Sequence, residues 1–324
     1  MADRAPPGPN QIAAATDPPL SDPSPDDSVR RVTLPAGRQI SFAEYGHPDG
    51  LPFMFMHGIP SSRLAGRLID AAAHGAGIRV IAPDRPGYGF STHWRERRIL
   101  DWPRDVADLA DQLGLNAFGL IGVSGAAPYL LACTLEMPDR LTHVAILSGM
   151  GPLDAPGVLT GMNRESAALY RLALRSPRLG RLWMKMLGQT AKHSPGLVFE
   201  QQLSYLAPAD QAVFQGEAMR ELRIADLAEA FRQGADGAGL EAVLYVSDWG
   251  FRLSDVAANV LLWRGAQDRH HPPAMGSHMS AMLPRNRTVV SEEAGGFGFV
   301  TEMDSIIEAI LAYPISAPRS ASRS

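Results

Sequence analysis

A chain of 324 residues with 45% hydrophobic and 20% charged side chains can bury one large core, with or without a smaller covering subdomain, and has the make-up of a globular protein. Its net charge of −4 argues against a dedicated binder of nucleic acid or of an anionic membrane, and no apolar run is long enough to span a bilayer. A single cysteine, Cys133, excludes a disulfide framework and a thiolate metal site, and a small buried hydrophobe is the role that fits it.

The first stretch, residues 1–28, is rich in Pro, Ala, Asp and Ser and lacks both a basic and a continuous apolar segment. It reads as a disordered leader rather than a signal peptide, which makes cytoplasmic residence the default. Val29 to Leu34 and Gln39 to Tyr45 flank Pro35-Ala36-Gly37 and predict an antiparallel hairpin. From residue 52 the rhythm changes to strands alternating with helical patterns, the signature of a parallel sheet covered on both faces. The strands are Phe53 to Met56, Arg79 to Ile81, Phe118 to Val123, His143 to Leu147, Asn259 to Trp263 and Thr288 to Val290. Between the second and third of these, Trp102, Val106, Leu109 and Leu113 fall at helical spacing, with Asp105, Asp108 and Asp111 off that stripe.

Next comes Gly122-Val123-Ser124-Gly125-Ala126, directly after a strand and directly before the apolar run Pro128-Tyr129-Leu130-Leu131-Ala132-Cys133. A serine at such a strand-turn-helix corner is lifted clear of the sheet, and the following backbone N–H points at the same space. Pro138 ends the helix. After Leu147 the alternation stops. Helical segments at Arg164 to Leu174, Leu179 to Leu187, Ala209 to Arg220 and Ile224 to Arg232 predict a helical cap over residues 151–245, inserted into a core formed by 29–150 and 246–313. Trp183, Met184, Met186 and Met219 are candidates to line an apolar pocket, although at helical spacing such residues are more often core. Residues 314–324 read as a flexible tail.

Four segments now stand at consecutive strand ends: His57-Gly58-Ile59-Pro60, Asp84-Arg85-Pro86-Gly87-Tyr88-Gly89, the Ser124 corner, and Arg264-Gly265-Ala266-Gln267-Asp268. In this order they resemble the α/β-hydrolase superfamily, in its serine-nucleophile branch. The resemblance implies an α/β fold with a mostly parallel central sheet and an inserted helical cap. It also implies Ser124 as nucleophile, Asp268 as the acid that orients a histidine, and the backbone N–H groups of Ile59 and Gly125 as an oxyanion hole. Asp248, near the end of the insertion, is a weaker alternative acid, His57 is a structural hydrogen-bonder, and the Asp84 loop carries no chemistry.

The pattern breaks after the last strand. The family's histidine position is Gly296, within Ala294-Gly295-Gly296-Phe297-Gly298, and no histidine follows His278. A triad serine without its base loses on the order of 10⁶ in rate. Three explanations stand side by side: a displaced base, for which His270 and His271 after Asp268 are candidates and His271 is preferred; a member that kept the fold as a ligand-binding or interaction protein; or a glycine that replaced a hydrolase histidine.

Other chemistries are weaker. His270, His271 and His278 lack a helical His-Glu-x-x-His pair, no Gly-rich phosphate loop follows the first parallel strand, and so neither a metal nor a cofactor is expected. Serine rather than aspartate at the corner disfavours the epoxide hydrolase and haloalkane dehalogenase branches. The expected activity is hydrolysis of a small, largely apolar ester or related carbonyl compound through an acyl-enzyme; a carbon–carbon bond hydrolase and a cofactor-free perhydrolase use the same constellation. The partner is then a small-molecule substrate or ligand, with no nucleic acid and no membrane, and the protein a monomer or homodimer.

Overall fold

The computed structural model describes residues 29–315. The leader over residues 1–28 lies outside them, as does the tail from 316 on. Two residues at the head of that tail, Pro314 and Ile315, are tied down: Asn259 Nδ2 donates to Pro314 O at 2.9 Å and Ile315 N to Thr142 O at 2.8 Å.

Eight strands form one sheet: β1 (Arg30–Thr33), β2 (Gln39–Gly46), β3 (Leu51–Met56), β4 (Ile78–Pro83), β5 (Phe118–Val123), β6 (Leu141–Leu147), β7 (Val260–Gly265) and β8 (Asn286–Ser291). Their spatial order is β1-β2-β4-β3-β5-β6-β7-β8, with β1–β2 and β2–β4 antiparallel and every later pair parallel. The central strands are buried on both sides because successive side chains feed two separate cores: Met54 and Met56 pack on one face, Phe53 and Phe55 on the other. The first face is covered by α2 (Trp102–Gln112), α3 (Ala127–Glu136) and α10 (Pro273–Met282); α1 (Asp70–Gly75) and α11 (Met303–Leu311) cover the second. This is the α/β-hydrolase arrangement that the motif order implies.

Trp102, Val106 and Leu109 of α2 are buried as their spacing predicts. Asp105 departs from expectation: it is buried too, because Arg38 from the β1–β2 turn reaches over with both guanidinium arms, one of them at 2.8 Å. Between β6 and β7 lie α4 (Arg164–Arg175), α5 (Pro177–His193), α6 (Pro195–Tyr205), α7 (Pro208–Val213), α8 (Glu217–Ala230) and α9 (Asp236–Leu244). The single helix expected over 209–220 is broken at Phe214, whose ring turns inward to pack edge-on against Phe199 and Phe297, and helix resumes after Gly216.

Candidate active site

The corner at Ser124 is strained. Ser124 takes φ 58°, a left-handed conformation that a non-glycine residue adopts at a cost of roughly 1–3 kcal/mol and that concentrates at functional sites. Gly122 permits the sharp turn, since a Cβ there would lie 2.5 Å from Leu130 Cδ1 on α3. The Ser124 carbonyl accepts from Met150 N at 3.0 Å, which anchors the corner to the chain leaving β6.

Ser124 Oγ lies 3.1 Å from His271 Nε2. His271 arrives from the loop after β7, and the acid of that same loop directs it: Asp268 Oδ1 accepts from His270 N at 2.7 Å and His271 N at 2.8 Å. This backbone clasp folds the loop over its own carboxylate. His271 Nδ1 stands 3.8 Å from Asp268 Oδ2, an ion-pair separation longer than a hydrogen bond. A ring hydrogen on Nδ1 would face Asp268 and leave Nε2 free to accept from the serine hydroxyl.

Burial controls both titrations. It drives His271 well below the ordinary histidine value, helped by neighbouring His270, so the imidazole is neutral. Burial likewise raises Asp268 to about 7, against the two backbone N–H donors and with a further push from the carboxylate of Asp210. Asp268 Oδ2 and Ser148 Oγ are both buried, and the Ser148 hydroxyl beside the carboxyl opposes the upward shift of Asp268. Ser148, at the end of β6, is the second non-glycine residue with a left-handed backbone, φ 46°.

A side chain in the turn that bears Gly296 would press on two carboxylates. A Cβ on Gly296 would lie 2.8 Å from Asp268 Oδ2, and one on Gly295 would overlap the Asp210 carboxylate. Asp210, on α7, accepts from Gly296 N at 2.9 Å and Phe297 N at 2.6 Å. Burial raises its pKa against those two bonds. Two carboxylates therefore flank the position where the family places its histidine.

Opposite His271, the loop after β3 reaches the serine. A Cβ on Gly58 would lie 3.4 Å from Ser124 Oγ, and one on Gly125 would lie 3.0 Å from Ile59 Cγ2, so the loop after β3 packs closely against the serine corner. Arg85 fixes that loop, with Nη2 donating to Gly58 O at 2.9 Å and Nη1 to His57 O. Holding the Gly58 carbonyl turns the N–H of the same peptide, that of Ile59, to the other side. Arg85 is held in turn by Glu241 on α9, at 2.6 and 3.0 Å. Tyr245 closes the circuit, its hydroxyl lying 2.9 Å from Gly125 O and 3.1 Å from Glu241 Oε2. Burial alone would raise Glu241, but Arg85 and Arg97 outweigh it and hold the carboxyl well below its usual range.

These elements enclose a cavity of about 730 Å³. Its wall is mostly apolar, with Leu68, Leu169, Leu203, Leu206, Phe214 and Phe297, and its floor is Ser124, Ser148 and His271. The volume suits a small organic ligand.

The model of the alpha/beta hydrolase family matches residues 53–308. The chain belongs to that family. Among its relatives, epoxide hydrolase B of Mycobacterium tuberculosis is 32% identical over 164 residues, 48% of this chain and 45% of the relative. A 2-hydroxy-6-oxononadienedioate/2-hydroxy-6-oxononatrienedioate hydrolase of Burkholderia vietnamiensis is 28% identical over 221 residues, 67% of this chain and 69% of the relative. The match to the first of these relatives spans about half of its length. In fold, the chain is similar to a thermophilic esterase of Thermogutta terrifontis, with a TM-score of 0.63, 20% identity, and coverage of 88% of this chain and 97% of the other.

Within this alpha/beta hydrolase, Ser124, His271, Asp268, Ile59 and Gly125 come together, with Gly296 beside Asp268. His57 is buried and structural: Nδ1 bonds to Gly58 O at 2.8 Å and Nε2 accepts from Arg85 N at 3.2 Å. His270 is half-buried, its pKa lowered to about 4 chiefly by desolvation and then by Arg223, and its Nδ1 lies 3.1 Å from Ser166 Oγ rather than at the serine corner. Asp248 is exposed and caps Gly250 N at 2.8 Å, which removes it as an acid. Trp183 and Met184 line the cavity, whereas Met186 is exposed and Met219 is core. Asp210, Ser148, Glu241 and Tyr245 were not found from sequence. Glu241 alone left a trace, as a lone acidic residue in the apolar run Ala238-Gly239-Leu240-Glu241-Ala242-Val243.

Proposed function

We propose that this alpha/beta hydrolase is a serine hydrolase whose base has moved from the turn at Gly296 to the acid's own loop, giving the set Ser124, His271 and Asp268. The observation that carries the reading is the 3.1 Å approach of His271 Nε2 to Ser124 Oγ. In the reaction, His271 takes the hydroxyl proton as Ser124 attacks the substrate carbonyl. The oxyanion is met by the N–H groups of Ile59 and Gly125, and the leaving group departs with the proton from His271. Water, activated by the same imidazole, then releases the acyl group. Asp268 stabilises the imidazolium when ionised, and the 3.8 Å gap to Nδ1 closes as that charge forms.

The apolar cavity supports a small, largely apolar ester or related carbonyl substrate. Serine at residue 124 sets the chain apart from a covalent alkyl-enzyme route, for which a carboxylate is needed there. A carbon–carbon bond hydrolase is the second reading, supported by the Burkholderia relative that aligns over two thirds of the chain. Turnover of a short-chain activated ester by the native protein, Ser124→Ala and His271→Gln tests the proposal. The native protein turns it over and each variant loses on the order of 10⁴- to 10⁶-fold. No turnover by the native protein, with retained binding of the ester, would make it a ligand-binding member of the family.

A further inference from the structure

We propose that the outer face of α5, with the adjoining turns of α4 and α6, docks on an anionic lipid surface and presents the cavity to it. The helix is three-sided. Gly180, Met184, Gly188 and Ala191 face the protein, with Gly180 and Gly188 allowing close contact with Ala173 and Ala235. Arg178, Arg181, Lys185 and Lys192 form a second side at helical spacing. On the third side Leu179, Leu182, Trp183 and Met186 recur at i, i+3, i+4 and i+7 and point to solvent, with Trp183 45% and Met186 65% exposed. A globular helix buries its one apolar stripe; this one buries a stripe and exposes another.

The exposed apolar side chains are concentrated here. Of nine large hydrophobic residues exposed among the described residues, six lie within 174–197: Leu174, Leu179, Leu182, Trp183, Met186 and Leu197. Scattered singly they would need no explanation, but a contiguous patch marks an interaction surface. The charge around it is equally uneven. Residues 164–193 hold seven basic side chains and one acidic, Glu165, in a chain whose net charge is −4, and they include both of its lysines.

Arg181 and Lys185 share Asp236 of α9 as an ion-pair partner. Arg171, Arg175, Arg178 and Lys192 are exposed and make no ion pair among the described residues. Apolar side chains with a tryptophan, bordered by unpaired cations, are the pattern that seats a helix in the headgroup region of an anionic bilayer. A second copy of the same face would bring like charges together, which disfavours self-association. Trp183 also lines the cavity, as do Arg164 and Arg171 at its rim. An apolar substrate dissolved in lipid would thus meet the entrance directly.

Vesicle co-sedimentation of the full chain tests this independently of the serine chemistry. Native protein is expected to bind vesicles of equimolar phosphatidylcholine and phosphatidylglycerol, to release them as salt rises, and not to bind phosphatidylcholine alone. Arg175→Gln and Arg178→Gln should each weaken binding about fivefold. Leu182→Glu with Met186→Glu, at exposed positions outside the cavity, should abolish binding while circular dichroism stays native. Absent binding to the anionic vesicles at low salt overturns the proposal, as does binding that these variants leave unchanged. A solution dimer dissociated by the double variant, with no vesicle binding, would assign the face to a second copy instead.

Discussion

The proposed base is a histidine at residue 271 where the family's pattern places one at residue 296, and the cause is local. Asp268 spends Oδ1 on the N–H groups of His270 and His271, so the loop curls back and the second imidazole reaches Ser124. The buried carboxylate sets the pH dependence. With Asp268 raised to about 7 and His271 already neutral, kcat/KM for an ester should rise as pH increases through about 7, and the histidine itself should add no limb near its ordinary value. The stability sign follows from the same shift: the native state holds a proton that the unfolded chain releases near pH ~3.9, so Asp268 disfavours the fold increasingly from that pH to about 7. Denaturant midpoints across that range should show Asp268→Asn gaining on the native protein as pH rises. Gly296→His should lower activity, because its Cβ meets Asp268 Oδ2 at 2.8 Å; a gain in activity would show that this turn can still seat a base better than the His271 loop does. Ser124 and Asp268 stood out in the sequence because each follows a strand within a recognisable turn. The proposed base, His271, was preferred from sequence over the adjacent His270, but the backbone clasp that turns it toward Ser124 is encoded by no spacing.

At the scale of elements, α9 braces the proposed oxyanion side from outside the sheet. Its Glu241 reaches Gly58 O through Arg85 and lies beside the Tyr245 hydroxyl at Gly125 O. Tyr245→Phe removes one of these links without leaving an unpaired charge. It should reduce kcat roughly tenfold with KM little changed, short of the ~10²- to 10³-fold cost of losing an oxyanion donor outright. Steady-state kinetics on the same ester check this; an effect confined to KM would assign Tyr245 to ground-state binding. Glu241→Gln strands Arg85 and Arg97 in the interior and should cost about 3–5 kcal/mol of stability, read from the denaturant midpoint. Sequence hid α9 because Gly237 and Gly239 are poor helix formers. Their use is close approach: a Cβ on Gly237 would lie 2.6 Å from Gly87 O, in the very loop that carries Arg85 and Tyr88. The break between α7 and α8 was hidden for a related reason, the inward turn of Phe214 being decided by rings from α6 and the Gly296 turn.

For the whole molecule, alternation of strand and helix was sufficient to read the sheet: all eight strands lie where the apolar runs place them, and the antiparallel hairpin opens the sheet as expected. Two-sided burial leaves a strong mark on sequence, whereas the meeting of five strand-end segments and α9 at one cavity is a property of the closed fold. That meeting makes the serine reactive in this account, and reactivity can be measured without knowing the substrate. The most direct measurement is the second-order rate of labelling by a fluorophosphonate, with the adduct located by mass spectrometry. Native protein should label once, at Ser124, with His271→Gln slower by at least about 10³-fold and Gly296→His no faster than native. Labelling of His271→Gln at the native rate, or no labelling of the native protein, would contradict a catalytic Ser124–His271 pair.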